Sequence, residues 1–267
     1  MKLQTLNPPF TAVFEEELAA ISEFYGLAFP EIKAAASPVF AWFEKYWEMV
    51  FAENSFELIT AGNGRDFAEK TAAIATELAL SQKTTTLFQN CCQAFPKAII
   101  GIKLCFSAHQ QIAPTVYVRT KTDIQKGLNF LAQHLNKAEM DVLQAALSKN
   151  QTLYGLGFSE KNGRLYLKTY TIEDVETPEN KIVPGFVSHR MHEEKLSKEH
   201  KTYLPEVSLY EFEPESEPLQ QLRDFLLFQM QYSHAGHIGM LFQNDRLAEY
   251  KIYVERVGGI PTDFSAK

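Results

Sequence analysis

A chain of 267 residues, 45% of them hydrophobic and 22% charged, is long enough to bury one large core, and a single domain is expected. The formal charge of −7 argues against the clustered Lys and Arg that bind a phosphate backbone, so no nucleic-acid partner is expected. No run approaches the roughly 18 apolar residues of a membrane span, and no basic-then-apolar leader opens the chain, so a cytoplasmic protein without a membrane span is expected.

The first ~95 residues read as the mainly helical part. Helices are predicted over Phe14–Tyr25, over Glu31–Ala52 around Phe40, Trp42, Phe43, Tyr46 and Trp47, and over Asp66–Ser81, with one strand at Phe56–Thr60. From 96 to 267 the period changes to hairpins. Ala98–Phe106 and Thr115–Lys121 read as two strands, followed by a helix opening at Thr122 with Gln125 in the capping-box position. A second helix follows Asn136, with Glu139 as its reciprocal cap, and runs to about Leu147. Leu153–Thr171 is a hairpin closed by Asn162-Gly163, the strongest two-residue turn signal. Beyond an acidic loop at Glu173–Asn180, Ile182–His189 and Tyr203–Phe212 are expected as strands around a charged excursion. A helix over Leu219–Tyr232 then leads to a last hairpin, Ile238–Val257.

Two of these hairpins repeat. GLGFSEKNGRLYLKTY and GMLFQNDRLAEYKIY share a glycine, a phenylalanine three residues on, a polar turn, Arg-Leu and Lys-x-Tyr. Residues two apart share a strand face, so a turn at Asn162-Gly163 pairs Lys161 with Arg164, Ser159 with Tyr166, Gly157 with Lys168 and Gly155 with Tyr170. One face carries Arg164, Tyr166, Lys168 and Tyr170 over small residues, which leaves space above the glycines. The other face carries Leu156, Phe158, Leu165 and Leu167. The earlier hairpin divides alike, with Tyr117, Arg119 and Lys121 opposed to Val116 and Val118. In the last hairpin Lys251 and Tyr253 share a face with Glu249. An α+β antiparallel β-barrel of repeated hairpins surrounded by α-helices satisfies both faces, the apolar one under helices and the polar one in a lumen. An open α+β sheet with its Lys/Tyr face in water is the alternative.

Other signals point to ordinary structure. Cys91, Cys92 and Cys105 lack zinc-site spacing and read as buried thiols in a reducing compartment. His189, His192 and His200 fall in a charged stretch without HExxH spacing and read as a solvated loop, and His234 and His237 read as turn residues. No P-loop, Rossmann, GxSxG or kinase signature is present.

Lys-x-Tyr on the second strand of successive hairpins, with Arg119-x-Lys121 on an earlier one, resembles the aromatic prenyltransferases of the αββα-barrel (ABBA) type over roughly Lys97–Val257. The resemblance implies transfer of a prenyl group from an allylic diphosphate to an aromatic small molecule or peptide side chain. It also implies that Arg119, Lys121, Lys168, Tyr170, Lys251 and Tyr253 hold the diphosphate and shield the allylic cation. Tyr117, Arg164 and Tyr166 share those faces as secondary positions, and Glu249 is a candidate base or acceptor anchor, or else the salt-bridge partner of a neighbouring lysine. With no DDxxD pair, no cofactor is required on this reading, and Mg2+ remains possible. Two other readings stay open: a non-catalytic barrel that binds an anionic small ligand, and a protein-interaction module.

Overall fold

Antiparallel pairing organises the whole chain in the computed structural model, which describes residues 10–40, 47–108, 110–147, 152–176, 182–192, 195–243 and 246–256. The elements in order are α1 (Phe10–Phe24), α2 (Phe29–Phe40), β1 (Trp47–Ala52), β2 (Ser55–Asn63), α3 (Arg65–Glu77) and α4 (Gln82–Ala94). Then come β3 (Ile99–Ser107), β4 (Gln110–Arg119), the two-residue β5 (Thr122–Asp123), α5 (Ile124–Leu131), α6 (Lys137–Ala146), β6 (Thr152–Lys161) and β7 (Arg164–Glu176). The chain continues through β8 (Ile182–His192), β9 (Lys195–Ser208), α7 (Glu217–Asp224, extended by a π-helical turn over Phe225–Gln229), β10 (His234–Gln243) and β11 (Arg246–Arg256).

The strands form one sheet in the order β4-β3-β2-β1-β11-β10-β9-β8-β7-β6-β5, and β4 also pairs with β6. Every strand but β5 therefore has at least two hydrogen-bonded neighbours, which closes ten strands into a barrel. The outward side chains, among them Phe56, Phe106, Val118, Leu156, Phe158 and Ile252, are buried under the helices in one hydrophobic core. Phe56 stacks on Phe106 at 4.8 Å, and Phe88 of α4 meets Phe158 edge-on at 6.5 Å.

The hairpin register agrees with the alternation. Lys161↔Arg164, Ser159↔Tyr166, Gly157↔Lys168 and Gly155↔Tyr170 are Cα partners, and Asn162 and Gly163 both take positive φ, at 54° and 70°. The Asn136 and Glu139 capping box also forms, with both hydrogen bonds at 2.9 Å. Before it, Asp123 rather than Thr122 caps α5, its side chain accepting from the Gln125 N–H at 2.8 Å.

Several expectations need correction. Trp47–Ala52 is not the end of a helix but β1, paired with β2 and β11; its Met49 and Phe51 enter the core while Glu48 turns inward. A strand buried on both faces loses its alternation, and an aromatic-rich run then imitates a helix. Residues 41–46, with Trp42, Phe43 and Tyr46, lie outside the described residues. Helix α4 has no predicted counterpart because its first turns are QKTTT; Ser81 caps it, accepting from the Thr84 N–H at 3.3 Å, and Leu87, Phe88, Cys91 and Cys92 bury its apolar side. The charged excursion is itself the β8–β9 hairpin, and the strand expected over Tyr203–Phe212 ends at Ser208. His234 and His237 belong to β10 rather than to a turn. The Glu173–Asn180 loop is strand as far as Glu176, and 177–180 lies outside the described residues.

Cys91 and Cys92 are buried free thiols, and burial pushes the Cys92 thiol up to about 12. His189 is buried too, on the outer wall of β8 opposite Thr169. Among the described residues neither the His189 Nδ1 nor the Thr169 Oγ1 has a hydrogen-bond partner. Burial holds this imidazole below its ordinary 6.5, with Glu173 opposing and Lys198 reinforcing the shift. A base depressed in the folded state contributes stability that is complete above the unfolded value and is lost as pH falls through the folded one. The melting temperature should accordingly fall as pH drops below about 6.5 in the wild type, and fall less in His189→Leu, as read by thermal scans through that range.

Candidate active site in the barrel lumen

Strand parity assembles the inner wall. Glu48 of β1, Glu57 of β2, Lys103 and Cys105 of β3, Tyr117 and Arg119 of β4, Lys168 and Tyr170 of β7, Ser188 and Arg190 of β8, and Lys251 and Tyr253 of β11 share the inward face. A cavity of about 200 Å³ opens among them, lined by Glu48, Glu57, Lys103, Tyr117, Tyr170 and Tyr253, with Arg119, Tyr154 and His237 also on its wall. The Lys/Tyr faces thus look into one lumen, whereas a protein-docking face needs them outside.

Glu57 is the electrostatic centre of the wall. Its Oε1 accepts from the Lys103 ammonium at 2.9 Å and from the Lys251 ammonium at 2.8 Å, and all three side chains are largely buried. Burial pulls both lysines toward neutrality, but Glu57 overrides it and holds each above the ordinary lysine range. Lys168 has the opposite balance. Its Nζ lies 5.4 Å from the Tyr166 ring centre, and no carboxylate among the described residues forms an ion pair with it. Burial, with Lys103 and Arg190 nearby, pushes it well below 10.5. Arg190, its cross-strand partner, is ion-paired to the buried Glu199.

Tyrosines cover the rest of the wall. The Tyr117 and Tyr170 ring centres lie 6.0 Å apart, while Tyr253 stacks on His237 at 4.1 Å. Burial raises all three phenols, so they stay neutral donors at any ordinary pH. The space above Gly157 is not vacant: a Cβ there would stand 3.2 Å from the Tyr117 ring and 3.4 Å from that of Tyr170. The glycine admits two tyrosine rings, and the ligand space lies beside them.

Lys168, Tyr170, Lys251, Tyr253 and Tyr117 come together as parity predicts, with Tyr166 beneath Lys168. Arg119 reaches the cavity wall with its guanidinium 5.1 Å from the Tyr154 ring centre. Lys121 lies past the end of β4, in the left-handed region at φ 41°, with its exposed ammonium 5.9 Å from the same ring at the rim. Arg164 shares the face of Lys168 but sits at the hairpin turn, exposed, in an outer groove with Ser81 and Gln82. Glu249 stands 3.6 Å from Lys251. Glu48, Glu57, Lys103 and Arg190 have no sequence-based assignment to the site, and His237, read from sequence as a turn residue, lies on the cavity wall. Glu57 and Lys103 nevertheless carry a signal, since each is a lone charge inside an apolar strand, FELIT and IIGIKLCF.

No family model and no curated protein matches the sequence. Among solved structures, a 6-dimethylallyl tryptophan synthase superposes with a TM-score of 0.55 at 11% identity, covering 90% of this chain and 94% of its own. The 6-dimethylallyltryptophan synthase from Micromonospora olivasterospora, in complex with DMASPP and Trp, gives 0.54 at 11% identity over 90% and 95%. The fold is that of the αββα-barrel prenyltransferases.

The hairpin pairs of this αββα barrel stand between helices, except that β7 and β8 follow one another with no helix among the described residues. No helix among those residues is long and apolar enough to cross a membrane, and no three His, Cys, Asp or Glu side chains are grouped to hold a metal ion. Chemically, the lumen offers fixed cations for a polyanion and neutral aromatic faces for a cation beside it.

Proposed function

We propose that the protein transfers a prenyl group from an allylic diphosphate to an aromatic acceptor. The carrying observation is the juxtaposition of Lys168, which has no carboxylate ion-pair partner among the described residues, with Lys103, Lys251 and Arg190 on the inner wall beside a tyrosine-lined cavity that Lys103 also lines; the αββα-barrel fold supports it. A buried cation without a counter-ion is costly, and a diphosphate removes that cost.

In this reading the diphosphate lies against Lys168 and Lys251, with Tyr170 and Tyr253 donating to its oxygens, and Arg119 and Lys121 guard the rim. The C–O bond breaks and the electron pair leaves with the diphosphate, whose growing charge the fixed ammonium groups stabilise. The rings of Tyr117, Tyr170 and Tyr253 face the allylic cation and keep water away from it. The acceptor ring attacks the cation, and the new sp³ carbon loses its proton. Glu57 is committed to two lysines, Glu199 to Arg190, and Glu48 on the cavity wall is only 7% exposed, whereas Glu249 is 3.6 Å from Lys251 and 31% exposed, so Glu249 is the carboxylate we assign to that proton.

Calorimetric titration with dimethylallyl, geranyl and farnesyl thiolodiphosphates, with and without magnesium, tests the donor half. Saturable micromolar binding with a chain-length preference is expected. Equal binding of inorganic pyrophosphate and all three analogues would favour the anion-binding barrel, and no binding would remove the diphosphate reading.

A further inference from the structure

Lys103 and Lys251 come from strands that are not neighbours in the barrel, since β2 and β1 lie between β3 and β11. They meet on a single oxygen of Glu57, at 2.9 Å and 2.8 Å. We propose that Glu57 is a positioning residue for the diphosphate, its shared carboxylate oxygen fixing both ammonium groups, side by side and charged, before the donor enters. The inference rests on the diphosphate reading of this lumen.

Two opposed effects decide its sign. A carboxylate near the diphosphate repels it, but without Glu57 the ammonium groups of Lys103, Lys251 and Lys168 would face each other and Arg190 unshielded. Lys168 shows the outcome for a lysine in this wall that lacks a carboxylate, being displaced toward neutrality by burial and by those same neighbours. The other groups facing the cluster are Tyr117, Tyr170, Tyr253 and Cys105, all raised by burial and neutral, and Glu249, 3.6 Å from Lys251. Glu48 lines the same cavity. None of these makes the double contact that Glu57 makes. Loss of one negative charge therefore exchanges two dependable cations for two that titrate.

The test is calorimetry of inorganic pyrophosphate binding to wild type and Glu57→Gln from about pH 7 to pH 9, in buffers of different ionisation enthalpy. Lys168 also loses the attraction of Glu57 in the variant, so any change in its protonation adds to the expected uptake in the same direction. Glu57→Gln is expected to lose about tenfold more affinity than wild type across that range and to take up at least about one more proton on binding. An identical pH slope and proton count, or tighter binding by Glu57→Gln at pH 9, overturns the proposal and makes Glu57 a competitor of the anion. Failure of wild type to bind pyrophosphate at any pH is a different result, which removes the diphosphate reading itself. Should Glu57→Gln not fold, reductive methylation of wild type at about pH 7.5, mapped by mass spectrometry, decides. Lys168 is expected to react at least about tenfold faster than Lys103 and Lys251; equal rates overturn the proposal.

Discussion

Lys168→Met is expected to make the protein more stable and a poorer binder of the donor. Methionine follows the path of the lysine stem and packs adaptably, so the substitution removes the charge with little change of volume. The ammonium it removes has no carboxylate partner among the described residues, only the Tyr166 ring, and is flanked by Lys103 and Arg190. Unfolding in urea should therefore show a gain of roughly 0.5–2 kcal/mol at neutral pH. The pH dependence follows from the sign of the shift. A lysine lowered in the folded state burdens stability fully below its folded value, and the burden lifts as pH rises toward the ordinary 10.5. Wild type should accordingly gain stability on the alkaline side, and Lys168→Met should lack that gain. Thiolodiphosphate affinity, measured in parallel, should fall by roughly 1.5–3 kcal/mol, the worth of a charge-assisted hydrogen bond. A loss of both stability and affinity would mean that Lys168 holds the wall together instead of waiting for an anion.

What the sequence revealed and concealed follows from the two faces of each strand. Four cross-strand pairs of the β6–β7 hairpin follow from one dipeptide, because Asn162 and Gly163 can both adopt positive φ and the period of 2 then carries the register. Parity gives a face but not a depth. Arg164 and Lys168 share a face, yet one ends at an exposed turn and the other in the lumen. Lys121 fails for a different reason: the amides of Thr120 and Lys121 both turn to the Tyr154 carbonyl, at 2.9 and 3.2 Å, so the alternation stops at Arg119. The β8–β9 hairpin was hidden by its charges, which look like a solvated loop until Arg190 finds Glu199 inside the barrel. Glu57 is the instructive omission. A lone carboxylate between Phe56 and Leu58 can be buried only with partners, and those partners, 46 and 194 residues away, are invisible until the sheet closes.

The outer wall predicts the converse of Lys168→Met. Phe158 is the next residue after Gly157 on β6 and points the other way, fully buried, with Leu167 and Val116 as cross-strand partners and the Phe88 ring edge-on at 6.5 Å. Phe158→Ala deletes an aromatic ring from a core in which helix α4 cannot easily close the gap, and about 3–5 kcal/mol of unfolding free energy should be lost. Donor affinity should stay within about twofold at temperatures where the variant remains folded, because no lumen group is removed. Urea unfolding and thiolodiphosphate calorimetry on the two variants then form a cross: stability moves with the outward residue and affinity with the inward one. If Phe158→Ala also lost affinity tenfold or more, the tyrosines packed over Gly157 would have shifted with the strand, and the lumen would depend on its helical shell for shape as well as for cover.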